Sequence, residues 1–219
     1  MRNGEDWTEE TAREAESALG YVFQDKQLLK TCFTHKSYSN AFGGDNNERL
    51  EFLGDAVLQL YVSETLFRAS DEDEGKLTDR RKNYVSKEAL NGAEKALDLM
   101  RFLRLSGKAE NVGDKTPSSL FEAVTAGIYL DGGIEEVRLF LQKNLSETKT
   151  LNYKSLLQEL VQEREKRTPD YFVKEEDGGY LCTARALKKS AQGRGKSKSE
   201  AETEAAQKLY LILAKRARD

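Results

Sequence analysis

The chain is poor in the residues that most often hold transition metals or cross-link a fold. Its 219 residues include one histidine, His35, and two cysteines, Cys32 and Cys182. A lone imidazole excludes a His-rich metal hydrolase. It also excludes a di-iron bundle, which needs Glu-x-x-His pairs. The cysteines are far apart, without metal-ligand spacing, and are expected as buried, reduced thiols in a cytoplasmic protein. No apolar run approaches the roughly 20 residues of a membrane helix, so no membrane association is expected. The opening "MRNGEDWTEETAREAES" is polar and acidic, unlike a signal peptide. "GRGKS" at 193–197 lacks the G-x-x-x-x-G-K-S/T spacing of a phosphate loop, and no strand-to-helix unit surrounds it. "THKS" at 34–37 offers no nucleophile arrangement. Nothing here calls for a small-molecule organic cofactor.

What the chain has in quantity is charge, distributed unevenly. Charged residues make up 33% and hydrophobic ones 38%, a globular composition. Residues 1–150 carry 20 Lys and Arg against 27 Asp and Glu, whereas residues 151–219 carry 15 against 11. An acidic part joined to a basic part suggests two modules, the second facing a polyanion and the first able to hold cations.

Periodicity divides the chain at the same place. Residues 1–148 read as all-α, with almost no alternation of apolar and polar residues. Asp25 and Ser86 stand where N-caps belong, and Thr116 with Pro117 opens a helix that "DGG" at 131–133 stops. That last helix is apolar on nearly all sides, so it is expected at the centre. After "SETKTLN" the pattern becomes α-β-β-β-α over residues 151–219, an α+β module. An amphipathic helix, "YKSLLQELVQEREK", is followed by three short strand-like runs with a turn at Gly178-Gly179. A long helix, "SEAETEAAQKLYLILAKRA", closes it, with Ser199 and Glu202 as its capping box.

The stretch "NNERLEFLGDAVLQL" at 46–60 asks for a chemical explanation. Glu48, Glu51 and Asp55 recur at i, i+3 and i+7, one stripe of a helix. Leu50, Leu53, Val57 and Leu58 cover much of the other side, and the crowding of leucines and Phe52 suggests partly buried acids. A solvated acidic face is one reading. The other is a divalent cation relieving the repulsion, and hard cations such as Mg²⁺ prefer carboxylate oxygens. Glu122, a single charge in an apolar helix, needs a partner as well. A salt bridge to Arg49 or Arg80 would provide one; so would a place opposite Glu51 and Asp55 in a metal cage suited to phosphodiester hydrolysis.

These residues resemble a known family. "NERLEFLGDAVL" is similar to the signature of the ribonuclease III family, which cuts double-stranded RNA. "LGYVFQDKQLLKTCFTHKSYSN", "DEGKLTDRRKNYVSKEAL" and "FEAVTAGIYLDGG" resemble its other nuclease segments, and residues 152–214 resemble a double-stranded-RNA-binding domain. The resemblance implies that Glu51, Asp55 and Glu122 are metal ligands and that Glu48 acts at the scissile phosphate. It implies that Glu74 lies near the substrate and that Phe52 packs across a homodimer interface, although Phe52 read by itself is core. It also exposes a departure. Ser119 stands where the family has a fourth acidic ligand, and "NVGDKTPSSL" replaces a Gly- and Arg-containing loop. In the second module Gln158 and Gln162 lie i, i+4 on one helix face, suited to minor-groove contacts. The first strand loop is short and has no His. Lys196 and Lys198, with the start of the last helix, make a phosphate site. Arg194 and Lys188-Lys189 are further candidates.

The expectation is an endonuclease that cleaves double-stranded RNA with Mg²⁺, for which Mn²⁺ can substitute. It would act as a cytoplasmic homodimer that leaves 5′-phosphate and 3′-hydroxyl ends with a short 3′ overhang and processes ribosomal RNA precursors. The alternative is a double-stranded-RNA-binding protein whose nuclease site is impaired at Ser119.

Overall fold

The computed structural model describes residues 7–107, 113–148 and 152–215. Residues 149–151 of the expected linker, the start of the loop preceding Thr116 and the end of the last predicted helix lie outside them. The chain divides into two compact units, Met1–Lys149 and Thr150–Asp219.

The first unit is helical: α1 Glu9–Leu19, α2 Lys26–Cys32, α3 Lys36–Phe42, α4 Glu48–Ala69, α5 Glu74–Tyr84, α6 Lys87–Leu97, a 3-10 turn Leu99–Phe102, α7 Thr116–Gly132 and α8 Ile134–Asn144. Among its described residues the one extended pairing is a single bridge between Thr34 and Arg104. Caps fall where short polar side chains precede apolar runs. Asp25 accepts from the backbone of Gln27 and Leu28, and Ser86 from Ala89. α7 opens one residue earlier than Thr116 as N-cap implies: Lys115 is the cap residue, and it makes no side-chain cap bond.

α7 occupies the centre because its residues leave no polar face to expose. Leu120, Phe121, Ala123, Val124, Ala126 and Ile128 are fully buried, each large side chain contributing roughly 1.5–3 kcal/mol. Small residues let its neighbours approach. A Cβ on Gly54 of α4 would lie 1.9 Å from the backbone oxygen of Glu122, so the two helices cross in near backbone contact. α7 ends as Gly133 takes φ +83°, a conformation glycine adopts freely.

The second unit follows the expected order: α9 Tyr153–Glu165, β1 Asp170–Glu176, β2 Gly179–Ala186, β3 Lys189–Gly195 and α10 Lys198–Lys215. The strands form one antiparallel sheet in chain order. Leu157 and Val161 of α9 and Ala201, Ala205 and Leu209 of α10 share a core with Cys182 and Ala184 of β2. "GRG" has a packing cause: Cβ atoms on Gly193 and Gly195 would meet the backbone of α10 at 2.2 Å and 2.6 Å. Both cysteines are free and buried.

Two local expectations shift. The helix cap lies two residues earlier than predicted, with Ser197 accepting from Glu200 N and Glu200 accepting from Lys196 N. Glu202 instead pairs with Lys154 at 2.6 Å. The β1–β2 turn is Asp177-Gly178, with Gly178 at φ +88°.

Candidate active site

The start of α4 is fixed from below. Buried Asn47 donates to the Cys32 carbonyl at 3.2 Å, and its own carbonyl accepts from Glu51 N. Helical spacing then sets Glu48, Glu51 and Asp55 in one stripe. Gly54 lies between Glu51 and Asp55 in sequence, and there α7 passes with its backbone at Glu122. The absent Cβ is therefore what brings Glu122 beside the α4 acids. An isolated glycine inside a helical pattern was the available signal for this crossing.

The proximity has an electrostatic consequence. The Glu122 carboxyl is pushed up to about 7, chiefly by burial and then by the negative charges of Glu51 and Asp55; Lys115 opposes the shift. Lys115 was not anticipated. Its Nζ lies 3.1 Å from Glu51 Oε1, and Glu122 and Asp55 also favour its charged form. Neither Arg49 nor Arg80 is the cation acting on Glu122. Arg80 instead bridges Glu72 (2.8 Å) and Glu147 (3.0 Å).

Burial of the acids is narrower than expected. Glu51 and Glu122 are half-buried, whereas Glu48 and Asp55 are exposed. Glu48 pairs with Lys36 at 2.8 Å and Asp55 accepts from Gln59 at 2.9 Å. Among the described residues, no three His, Cys, Asp or Glu side chains are already closed around a point that could hold an ion. The donor set nonetheless suits a hard dication. It offers carboxylate oxygens with an excess of negative charge, and one ammonium has already been drawn in.

Ser119 is half-buried on α7, one turn before Glu122 and on the same helix face. Its N–H donates to the Lys115 carbonyl at 3.1 Å, so Lys115, Ser119 and Glu122 follow one another along the helix. Glu74 stands apart from these acids. It opens α5 behind its cap Asp73 and lies exposed on a groove of 590 Å³ with Leu60, Ser63, Phe67 and Leu77.

That groove belongs to an unusual surface. Phe52 is 81% exposed, Leu60 60% and Phe67 76%, and all three lie on one side of α4. Phe52 is thus not core. Large apolar side chains exposed on one helix face mark an interaction site.

In the second unit Gln158 and Gln162 are exposed on α9, flanking the buried Leu157 and Val161. Lys196 and Lys198 are exposed where β3 meets α10, and the Lys198 ammonium lies 5.8 Å from the centre of the Tyr180 ring. Arg194 is nearby but pairs with Glu176 at 3.5 Å. Lys188-Lys189 sit at the β2–β3 turn, the opposite end of the sheet.

Comparison with known proteins matches both units of the chain. A family model described as ribonuclease-III-like matches residues 25–149, and one for the double-stranded RNA binding motif matches 153–213. The chain is 42% identical over 176 residues to ribonuclease 3 of Helicobacter acinonychis, covering 74% of each protein. It is 36% identical over 203 residues to ribonuclease 3 of Bdellovibrio bacteriovorus, covering 83% of this chain and 87% of that protein. Among solved structures, the nuclease domain of ribonuclease III from Campylobacter jejuni, described for flexibility in its dimer-forming region, aligns with a TM-score of 0.55 at 36% identity. The alignment covers 59% of this chain and 92% of that one.

Proposed function

Because the chain belongs to the ribonuclease III family, we propose that Glu51, Asp55 and Glu122 form the divalent-metal centre of this double-stranded-RNA endonuclease. The observation that carries the reading is the crossing of α4 and α7 at Gly54, which sets half-buried Glu122 beside Glu51 and Asp55; burial and those two acids raise its carboxyl to about 7. Three carboxylates that repel one another, two of them half-buried, are stabilised by a cation. Mg²⁺ fits the oxygen donors, and Mn²⁺ accepts the same ligands.

A bound dication supplies Lewis-acid charge and an ionised water for attack on phosphorus. The chain's own groups do the rest. Glu122 ionises before it can ligate. Glu48, exposed at the start of α4, works at the scissile phosphate, and Glu74 acts near the substrate. Ser119 adds a neutral hydroxyl where relatives carry an acid. Hydrolysis forms a bond from the water oxygen to phosphorus and breaks the bond to the 3′ oxygen, leaving a 5′-phosphate and a 3′-hydroxyl. The exposed glutamines of α9 read the minor groove, and Lys196 and Lys198 take phosphates.

The exposed face with Phe52 supports a homodimer. Each subunit would then cut one strand, leaving a short 3′ overhang. Ribosomal RNA precursors in the cytoplasm are the substrates this reading favours. Ser119 and Lys115 favour a second reading, in which the nuclease site is weakened and binding of double-stranded RNA is the main activity.

Cleavage of one duplex by the native chain and by Glu122→Gln, with Mg²⁺ present, tests the proposal. Native cutting should vanish in the variant, by at least about 100-fold, while duplex affinity stays the same. Cutting by Glu122→Gln at the native rate would remove Glu122 from the metal centre. Tight binding without cutting by the native chain would select the second reading.

A further inference from the structure

Lys115 is the feature of the site that its acids do not explain. It comes from a segment far from Glu51 in sequence, yet its Nζ meets Glu51 Oε1 at 3.1 Å. The side chain is 75% exposed and free to leave, while that of Glu51 is 26% exposed. Its backbone is anchored: the Lys115 carbonyl accepts from Ser119 N and from Ser118 Oγ. The ammonium is therefore tethered one helical turn below Ser119, with Glu122 a further turn along. It is also the cation that acts on the Glu122 carboxyl.

We infer that Lys115 is the resident counter-charge of the acidic site, and that a divalent cation must displace its ammonium from Glu51 in order to bind. This rests on the metal-centre reading above and adds a competitor to it. With Ser119 neutral, three carboxylates and one ammonium leave the face at a net charge of about −2 once Glu122 is ionised. A Lys ammonium on a four-carbon stem suits such a temporary role. It can neutralise one carboxylate, and it can swing into solvent when a stronger cation arrives. The consequence is a higher metal requirement than the three acids alone would set.

The test is calorimetric titration of the full-length chain with Mn²⁺ alone, without RNA, so that turnover plays no part. Four proteins are compared: native, Lys115→Met, Lys115→Arg and Glu122→Gln. Removing a positive charge beside the dication should tighten Mn²⁺ binding in Lys115→Met by roughly two- to fivefold, the scale of an exposed ion pair. Lys115→Arg keeps the charge and should bind Mn²⁺ like the native chain. Equal or weaker binding by Lys115→Met overturns the inference. In that case, loss of binding in Glu122→Gln shows that the metal centre itself stands. Absence of Mn²⁺ binding in both the native and Lys115→Met proteins overturns the inference and the metal centre together.

Discussion

At the scale of single residues, charge and burial decide what the acidic site can do. Glu48 and Asp55 are exposed, whereas Glu122 is half-buried and its carboxyl is raised to about 7. Ser119 shares its helix face. An aspartate there would restore the acid usual in the family, and each anionic ligand raises the attraction for a hard dication. Ser119→Asp should therefore lower the Mg²⁺ concentration for half-maximal cleavage, roughly two- to tenfold. A Mg²⁺ titration of both proteins on one duplex measures this, and an equal or poorer response in the variant would mean that Ser119 does not face the acids. The stripe at 48, 51 and 55 was legible in the sequence because helical spacing alone defines it. Lys115 was not, because nothing local signals an ion pair across 64 residues. Arg80 misled for the same reason. A cation can be counted in a sequence, but its choice of Glu72 and Glu147 depends on packing.

At the scale of elements, the crossing of α4 and α7 positions the chemistry. Gly54→Ala gains up to about 1 kcal/mol of helix propensity. It also forces a methyl to within 1.9 Å of the Glu122 carbonyl oxygen, where neither helix backbone can yield cheaply. Overpacking of this kind costs about 1–3 kcal/mol or more. The net result should be a melting temperature several degrees lower in circular dichroism, together with weaker cleavage. A melting temperature at or above the native value would show that the helices do not cross so closely. Helical character of the first unit and the element order of the second, including its three short strands, were readable from hydrophobic period. The capping box was displaced because two Ser-x-x-Glu registers overlap in "SKSEAE": 197 with 200, and 199 with 202. Only the geometry of β3 entering α10 selects the first. At the β2–β3 turn, Leu187 (φ +50°) and Lys188 (φ +58°) both adopt left-handed backbone. Neither residue favours that conformation, so no turn signal marked the position.

At the scale of the whole molecule, the chain pairs an acidic unit with a basic one, and the two carry different predictions. Duplex binding through Lys196 and Lys198 releases counterions, so Lys196→Ala with Lys198→Ala should lower affinity uniformly across sequences. It should also flatten the plot of log affinity against log salt by about one unit per lysine. An unchanged slope would rule these lysines out as phosphate contacts. The acidic unit carries the prediction about assembly. The resemblance pointed to Phe52 as an interface residue, whereas its apolar character alone pointed to the core, and the structure leaves it 81% exposed. An aromatic ring in water forgoes the burial of some 150–250 Å², and Leu60 and Phe67 extend the same face. A two-fold interface would place each such residue twice, so small gains per ring are doubled. The native chain should sediment as a dimer at micromolar concentration. Phe52→Asp puts two desolvated carboxylates into the interface without touching the core, so this variant should sediment as a monomer with a native circular dichroism spectrum. A native chain that is monomeric at micromolar concentration, or a Phe52→Asp chain that remains dimeric, would show that this apolar face is not where two copies meet.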